Sequence, residues 1–280
     1  MVSITKVLVT GGNTGIGFAV SKQLALQHNC HVFLTARTPA KGHAAVESIR
    51  KLGGSVEFVE LDTSADDSVI AAAETVKSKL NNDNGNDSRL YGIVNNAGIG
   101  LNTGGSGDIL NTNLHGPKRV CDAFLDILDR EKGRIVNLGS GSGPMYVGGC
   151  RNVAEKKILC DPLSEACTWE WIEEHAKNNL RGGNDAYGLS KALVACYTGI
   201  LAREHPTIRS SCVSPGFINT QMTEGWGASK SPEEGTVSIM KCLFGELEGN
   251  GWYYGSDGVR SPYHYMRDPG TAAYDGVNPF

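Results

Sequence analysis

The sequence predicts a doubly wound α/β domain built on a parallel sheet of seven strands, and three observations predict it. Val7-Leu8-Val9 runs into Thr10-Gly11-Gly12-Asn13-Thr14-Gly15-Ile16-Gly17 and then into Phe18 to Ala25, whose apolar residues recur at helical spacing. That reads as strand, glycine turn, helix. Short apolar runs then alternate with amphipathic segments along the chain, as in βα units whose strands are buried on both faces. Finally, polar residues (Asp62, Asn95-Asn96, Ser140) stand where those runs end, which is the side of an open parallel sheet where ligands bind.

The 280 residues suffice for one large core, and a second domain is not required. With 40% hydrophobic and 20% charged residues and a net charge of -4, nothing points to nucleic acid or an anionic membrane. The expected partner is a small molecule. The 8 cysteines include no Cys-x-x-Cys pair, so neither a disulfide framework nor a metal site is expected. Reduced thiols, an early first strand and no run long enough to span a bilayer lead to the expectation of a cytoplasmic protein.

Taken in order, the glycine turn is a phosphate site in outline. Glycine allows a sharp turn and close approach, and the following helix offers unpaired N–H groups and a positive dipole end to an anion. A dinucleotide pyrophosphate fits there, although an ordinary turn has the same local pattern. Cys30 to Arg37 is the second strand. In a nucleotide fold its end faces the adenosine ribose, where an acid would bind a free 2′-hydroxyl and an arginine a 2′-phosphate. Arg37 therefore favours NADP over NAD, or is simply a solvated turn residue. Lys41 to Leu52 is a helix closed by Gly53-Gly54, and Val56 to Leu61 is the third strand, ending in Asp62-Thr63. Asp62 can accept from an adenine amino group or cap the next helix, Ser68 to Leu80. The polar run from Asn81 to Ser88 has nothing to bury.

Tyr91 to Val94 is the fourth strand, followed by Asn95-Asn96-Ala97-Gly98. Its amides can tie neighbouring strands together, while Ala97 and Gly98 let a cofactor lie close to the backbone. Thr112-Asn113-Leu114 begins or interrupts a long helix through Leu128. Asn113 is locally unfavourable there, which predicts a tertiary task for its amide. Gly133 to Leu138 is the fifth strand, with Ser140 in the glycine-rich turn behind it. Asp161-Pro162 looks like a helix start for Leu163 to Ala176. In the helix Tyr187 to Leu201, Tyr187 and Lys191 share one face. A phenol of ordinary pKa about 10 is a weak acid–base; an adjacent ammonium that lowered it by two units would supply about 2.7 kcal/mol. Ser210 to Val213, Pro232 to Leu247 and Gly251 to Tyr254 read as strand, helix and seventh strand. Tyr263, His264 and Tyr265 either line a pocket or pack on that last strand.

This ordered series resembles the short-chain dehydrogenase/reductase family over nearly the whole chain, most of all its NADPH-dependent carbonyl reductase branch. The likeness rests on the glycine turn, Leu34-Thr35-Ala36-Arg37, Leu61-Asp62, Asn95-Asn96-Ala97-Gly98, Asn113, Ser140, Tyr187-x-x-x-Lys191 and Ser214-Pro215-Gly216-Phe217-Ile218-Asn219-Thr220. It implies a single Rossmann-type domain over residues 1–280, with a helical insertion at about 144–184 and a tail at about 261–280. It also implies a catalytic set of Asn113, Ser140, Tyr187 and Lys191. Tyr187 would be the proton donor and Lys191 would lower its pKa and hold the nicotinamide ribose. Ser140 would bind the substrate oxygen and Asn113 would position a relay water. NADPH would be held by Gly11, Asn13, Thr14, Gly15, Ile16, Gly17, Arg37, Asp62, Thr63, Asn96, Ala97, Gly98, Tyr187, Lys191, Pro215, Gly216, Ile218 and Thr220.

The implied activity is reduction of a ketone, aldehyde or quinone without metal. The alternatives are the reverse reaction, as an alcohol dehydrogenase of a specialised metabolite or steroid, and a non-catalytic NADP sensor. The chain departs from that branch at Thr14, where the branch often carries a base, and in the short glycine-rich stretch after Gly98. The long separation of Ser140 from Tyr187 resembles the branch, whose extra helix covers the face through which relatives form tetramers. A monomer is expected, with the insertion as a fixed cover or, hinged at Gly182-Gly183, a lid.

Overall fold

A computed structural model describes residues 4–81, 89–100, 103–180 and 184–280. Seven parallel strands lie in the order β3-β2-β1-β4-β5-β6-β7. They are β1 (Lys6–Val9), β2 (His31–Ala36), β3 (Val56–Glu60), β4 (Gly92–Asn95), β5 (Arg134–Leu138), β6 (Arg209–Val213) and β7 (Trp252–Tyr254). The strand order reverses between β1 and β4, so the connections from their carboxyl ends part to opposite sides and leave a crevice.

The first half of the chain supplies helices α1 (Gly15–Gln27), α2 (Pro39–Arg50), α3 (Asp66–Asn81), α4 (Ser106–Leu110) and α5 (Gly116–Phe124). The second half supplies α6 (Ser142–Gly149), α7 (Val153–Cys160), α8 (Trp169–Asn179), α9 (Asn184–Glu204) and α10 (Val237–Phe244). Alternation along the strands sorts their side chains between two cores. Leu8, Ile93 and Ile135 pack with Val76 of α3, Phe124 of α5 and Leu193 of α9. Val9, Val94 and Val136 face the other way, onto Leu24 of α1, Ile49 of α2 and Leu243 of α10. Both faces are covered, so the strands read as unbroken apolar runs.

Of the two expectations for Thr112-Asn113-Leu114, the second holds: the stretch interrupts a helix that begins at Ser106, and Asn111–His115 is a π-helical turn centred on Asn113. Two expected boundaries change. The helix expected over Pro232–Leu247 is a 3-10 turn at Glu234–Thr236 followed by the shorter α10. Asp161-Pro162 does not start the insertion helix. Asp161 follows the end of α7, and α8 begins at Trp169, where the Thr168 hydroxyl accepts from the Trp171 N–H at 3.1 Å. Arg203 of α9 fixes the intervening turn by donating to the carbonyls of Ser164 (2.6 Å) and Cys167 (2.9 Å). A tertiary clamp thus overrides a local start signal. The polar residues 82–88, Leu101-Asn102 and Gly182-Gly183 lie outside the described residues.

Helix α8 lies across α9 and the segment 115–124. The Lys118 ammonium is 5.1 Å from the Trp169 ring, Trp169 meets Tyr197 edge-on at 5.5 Å, and His115 faces Glu173 at 3.5 Å. His175, only 4% exposed, joins α8 to its neighbours: Nδ1 faces Glu155 at 3.4 Å and Nε2 faces the Tyr146 hydroxyl at 3.4 Å. Burial lowers its pKa, against the pull of Glu155. Among the described residues no helix is long and apolar enough to cross a membrane.

Candidate active site

The glycine turn takes the conformations its sequence demands. Gly11 and Gly15 have φ of +62° and +54°, and a side chain at Gly11 would press on Ala97 Cα at 3.1 Å. The end of β4 is bound to this turn. Asn96 Nδ2 donates to the carbonyls of Thr10 (2.9 Å) and Gly11 (3.2 Å), and the Ala97 N–H donates to the Thr10 hydroxyl (2.9 Å). The side chain of Asn96 is therefore a tie between β1 and β4. Helix α1 starts behind the turn with no acid in its first turn and no side-chain bond from Thr14, which is exposed. Its first amides and positive dipole end are left for an anion.

Other cofactor candidates gather around this start. Thr220 Cγ2 stands 3.3 Å from where a Gly15 Cβ would be, so the loop from Pro215 to Thr220 arches over the glycine turn. Ile16 and Ile218 meet beside Gly235. Gly216 has φ of +95°, Asn13 is half-buried, and Ile218 is buried. At the neighbouring strand ends the exposed Arg37 faces Asp62. Burial would raise the Asp62 carboxyl, but the Ser64 hydroxyl and N–H and the Arg37 charge together hold it below its usual value. Ser64 Oγ and N donate to Asp62 Oδ1 at 2.6 and 3.0 Å, so that oxygen already serves the turn before α3. Thr63 is buried against Gly116, with its hydroxyl turned towards α5. The open α1 start, the side-chain-free cradle and the free Arg37 fork fit a phosphorylated dinucleotide.

The proposed reacting groups converge at the ends of β4 and β5. A Cβ on Gly98 would lie 3.2 Å from Asn113 Oδ1 and 3.8 Å from Lys191 Nζ. Asn113 is 1% exposed, and its amide is fully engaged. Oδ1 accepts from the Ile99 N–H (2.9 Å), and Nδ2 donates to the Ile99 carbonyl (3.0 Å) and the Ser190 hydroxyl (3.2 Å). The π turn aims this amide away from its own helix, in keeping with where such turns recur. Lys191 Nζ donates to the Leu138 carbonyl at 2.8 Å and lies 5.6 Å from the centre of the Tyr187 ring. The Tyr187 hydroxyl points to Met222 Sδ at 3.9 Å.

One electrostatic expectation is corrected. Burial pushes the Tyr187 phenol up from its ordinary value, the Ser140 hydroxyl draws it back, and Lys191 is not among the causes. Burial also brings Lys191 down to about 8. Desolvation penalises both charged forms, and with the ammonium 5.6 Å from the ring centre it outweighs their attraction. Ser140 Oγ itself accepts from the Ser142 N–H at 3.2 Å, at the start of α6. Tyr263 takes the packing role on β7, with its hydroxyl donating to the Gly251 carbonyl at 2.8 Å.

Sequence reasoning missed Asn137. Asn95 Nδ2 donates to Asn137 Oδ1 (2.8 Å), and Asn137 Nδ2 donates to the Thr198 hydroxyl (3.0 Å), an amide ladder from β4 through β5 to α9. An asparagine inside an otherwise apolar strand was the available signal.

The short chain dehydrogenase profile matches residues 5–152. The sequence is 34% identical over 248 residues to carbonyl reductase (NADPH) 3 of Mus musculus, covering 81% of this chain and 86% of that protein. The chain belongs to the short-chain dehydrogenase/reductase family. It is also 32% identical over 277 residues to (+)-neomenthol dehydrogenase of Arabidopsis thaliana, covering 84% of this chain and 89% of that one. The structure of salutaridine reductase from Papaver somniferum superposes with a TM-score of 0.74 at 27% identity, covering 89% of this chain and 99% of that one. As a member of this family the protein is an oxidoreductase.

Proposed function

We propose that this family member reduces a ketone, aldehyde or quinone with NADPH, and that Tyr187 donates the proton. The observation that carries the reading is the meeting of Tyr187, Ser140 and Lys191 at the ends of β4 and β5. When bound, NADPH supplies the hydride. Tyr187 Oη and Ser140 Oγ donate to the carbonyl oxygen and stabilise the negative charge that grows on it; the phenol proton then passes to that oxygen. A phenol raised by burial is protonated at neutral pH, the form that a proton donor needs. Lys191 as a cation would hold the ribose and stabilise the phenolate left behind. Asn113 acts as a positioning residue, since its amide atoms are already engaged by Ile99 and Ser190. The similarity to a neomenthol dehydrogenase supports a second reading, in which the same site oxidises a secondary alcohol.

Arg37, with its fork free beside Asp62, would select the 2′-phosphate. The cover that α8 lays over α9 and residues 115–124 supports a monomer, and the thiols suit a reducing cytoplasm. The test is a panel of ketones, aldehydes, quinones and alcohols assayed with NADP(H) and NAD(H). Carbonyl reduction with a clear preference for NADPH is expected. Arg37→Asp should cut that preference about 10–100-fold, the worth of a charge-assisted pair. NADPH binding without turnover of any compound would instead establish a sensor.

A further inference from the structure

The C-terminal segment follows α6 (Ser142–Gly149), the helix that begins beside Ser140 and whose other side packs on the backbone of Lys191 at Gly143. It approaches α6 at two positions that lack side chains. A Cβ on Gly141 would come within 2.5 Å of Met266 Sδ, and one on Gly148 within 2.8 Å of the His264 carbonyl oxygen. Met266 thus lies against the residue after Ser140 while remaining 58% exposed, an apolar, flexible side chain at the edge of the reacting centre.

The segment is fastened by one ion pair and a set of hydrogen bonds. The side chain of Arg267 is only 3% exposed and pairs with Asp257, from the turn after β7. Its Nε donates to the Ser261 hydroxyl (3.0 Å) and its Nη1 to the carbonyls of Asp268 (3.1 Å) and Thr271 (2.8 Å). The Gly270 N–H donates to the other Asp257 oxygen at 2.9 Å. A guanidinium so fully engaged fixes its neighbours, and residue 266 is one of them.

We infer that this segment is a wall of the substrate pocket, with Met266 as a specificity-determining residue that receives the apolar body of the ketone and Arg267 as the residue that positions it. This rests on the proposed carbonyl reduction and adds that the substrate carries an apolar body extending from the carbonyl towards α6. An unbranched thioether can adjust to such a body, whereas a polar one would find no partner on it.

The test compares cyclohexanone, a compact ketone, with the bicyclic 2-decalone. Met266→Ala and Met266→Phe should move the ratio of their kcat/KM values in opposite directions by about fivefold or more, through KM, with NADPH affinity unchanged. Arg267→Lys, which keeps the charge but loses the fork, should shift the ratio as Met266→Ala does. In protein labelled with 13C-methyl methionine and saturated with NADPH, 2-decalone should shift the Met266 signal and leave that of Met240, packed on the opposite core, in place. Ratios unchanged in both Met266 variants, or a Met266 signal unmoved by a ketone that is turned over, would overturn the wall while leaving carbonyl reduction intact. Wild-type protein that turns over no carbonyl overturns the functional reading itself.

Discussion

The two sides of Tyr187 are built by different means. On the cofactor side, the turn after β1 works through backbone: positive-φ glycines, a helix start free of acids, and the Asn96 amide binding β4 to the turn. On the other side, the insertion and the C-terminal segment work through side chains that meet from distant parts of the chain, with Arg203, His175 and Arg267 as the fasteners. A backbone site tolerates almost no added atom, while a side-chain wall can change composition and keep its place. One fold can thus keep one cofactor geometry while its substrate wall varies.

The largest effect is expected at the residue both sides share. Tyr187→Phe should lower kcat at saturating NADPH by about 10²–10⁴-fold, the usual worth of a positioned acid. Next comes the backbone side. A methyl at Gly17 would strike the Gly11 carbonyl and the Asn96 amide, so Gly17→Ala should weaken NADPH binding by up to about 100-fold, the equivalent of a strained overpacking. The same substitution at Gly149, where a Cβ meets nothing within 4 Å, should leave NADPH binding unchanged.

A smaller effect comes from Lys191. Its pKa is depressed to about 8, so the free protein loses the cation as pH rises past that value, earlier than an ordinary lysine. The kcat/KM for NADPH should be level below pH 8 and fall about tenfold per pH unit above it. A level profile to pH 10 would show that the cation is not required. The smallest effect belongs to the insertion. Thr168→Ala removes the α8 cap and should cost about 1 kcal/mol in denaturant unfolding, with NADPH affinity unchanged.

The two sides also differ in how far they could be read beforehand. Strands and the glycine turn are local: Val7-Leu8-Val9, the turn and α1 are contiguous, so periodicity and glycine placement suffice to find them. The pair Tyr187 and Lys191 is also local, one helical turn apart. Helices α6 and α7 were not legible, because Ser142–Gly149 is rich in glycine and poor in helix formers and owes its form to packing between α9 and the C-terminal segment. The start of α8 was misplaced because Asp161-Pro162 is a sound local signal that Arg203 overrides from far along the chain.

The succession of strands and helices along the chain and the glycine cradle for a dinucleotide were thus determined by the sequence itself, because each depends on neighbours within a few residues. Only the tertiary structure decided that Lys191 and Tyr187 share a site dry enough to move both pKa values against their charged forms. It alone brought Met266 against Gly141, the residue after Ser140, and turned the Asn113 amide onto Ile99. Desolvation and long-range contact depend on what the rest of the chain packs around a residue, and no local pattern encodes that.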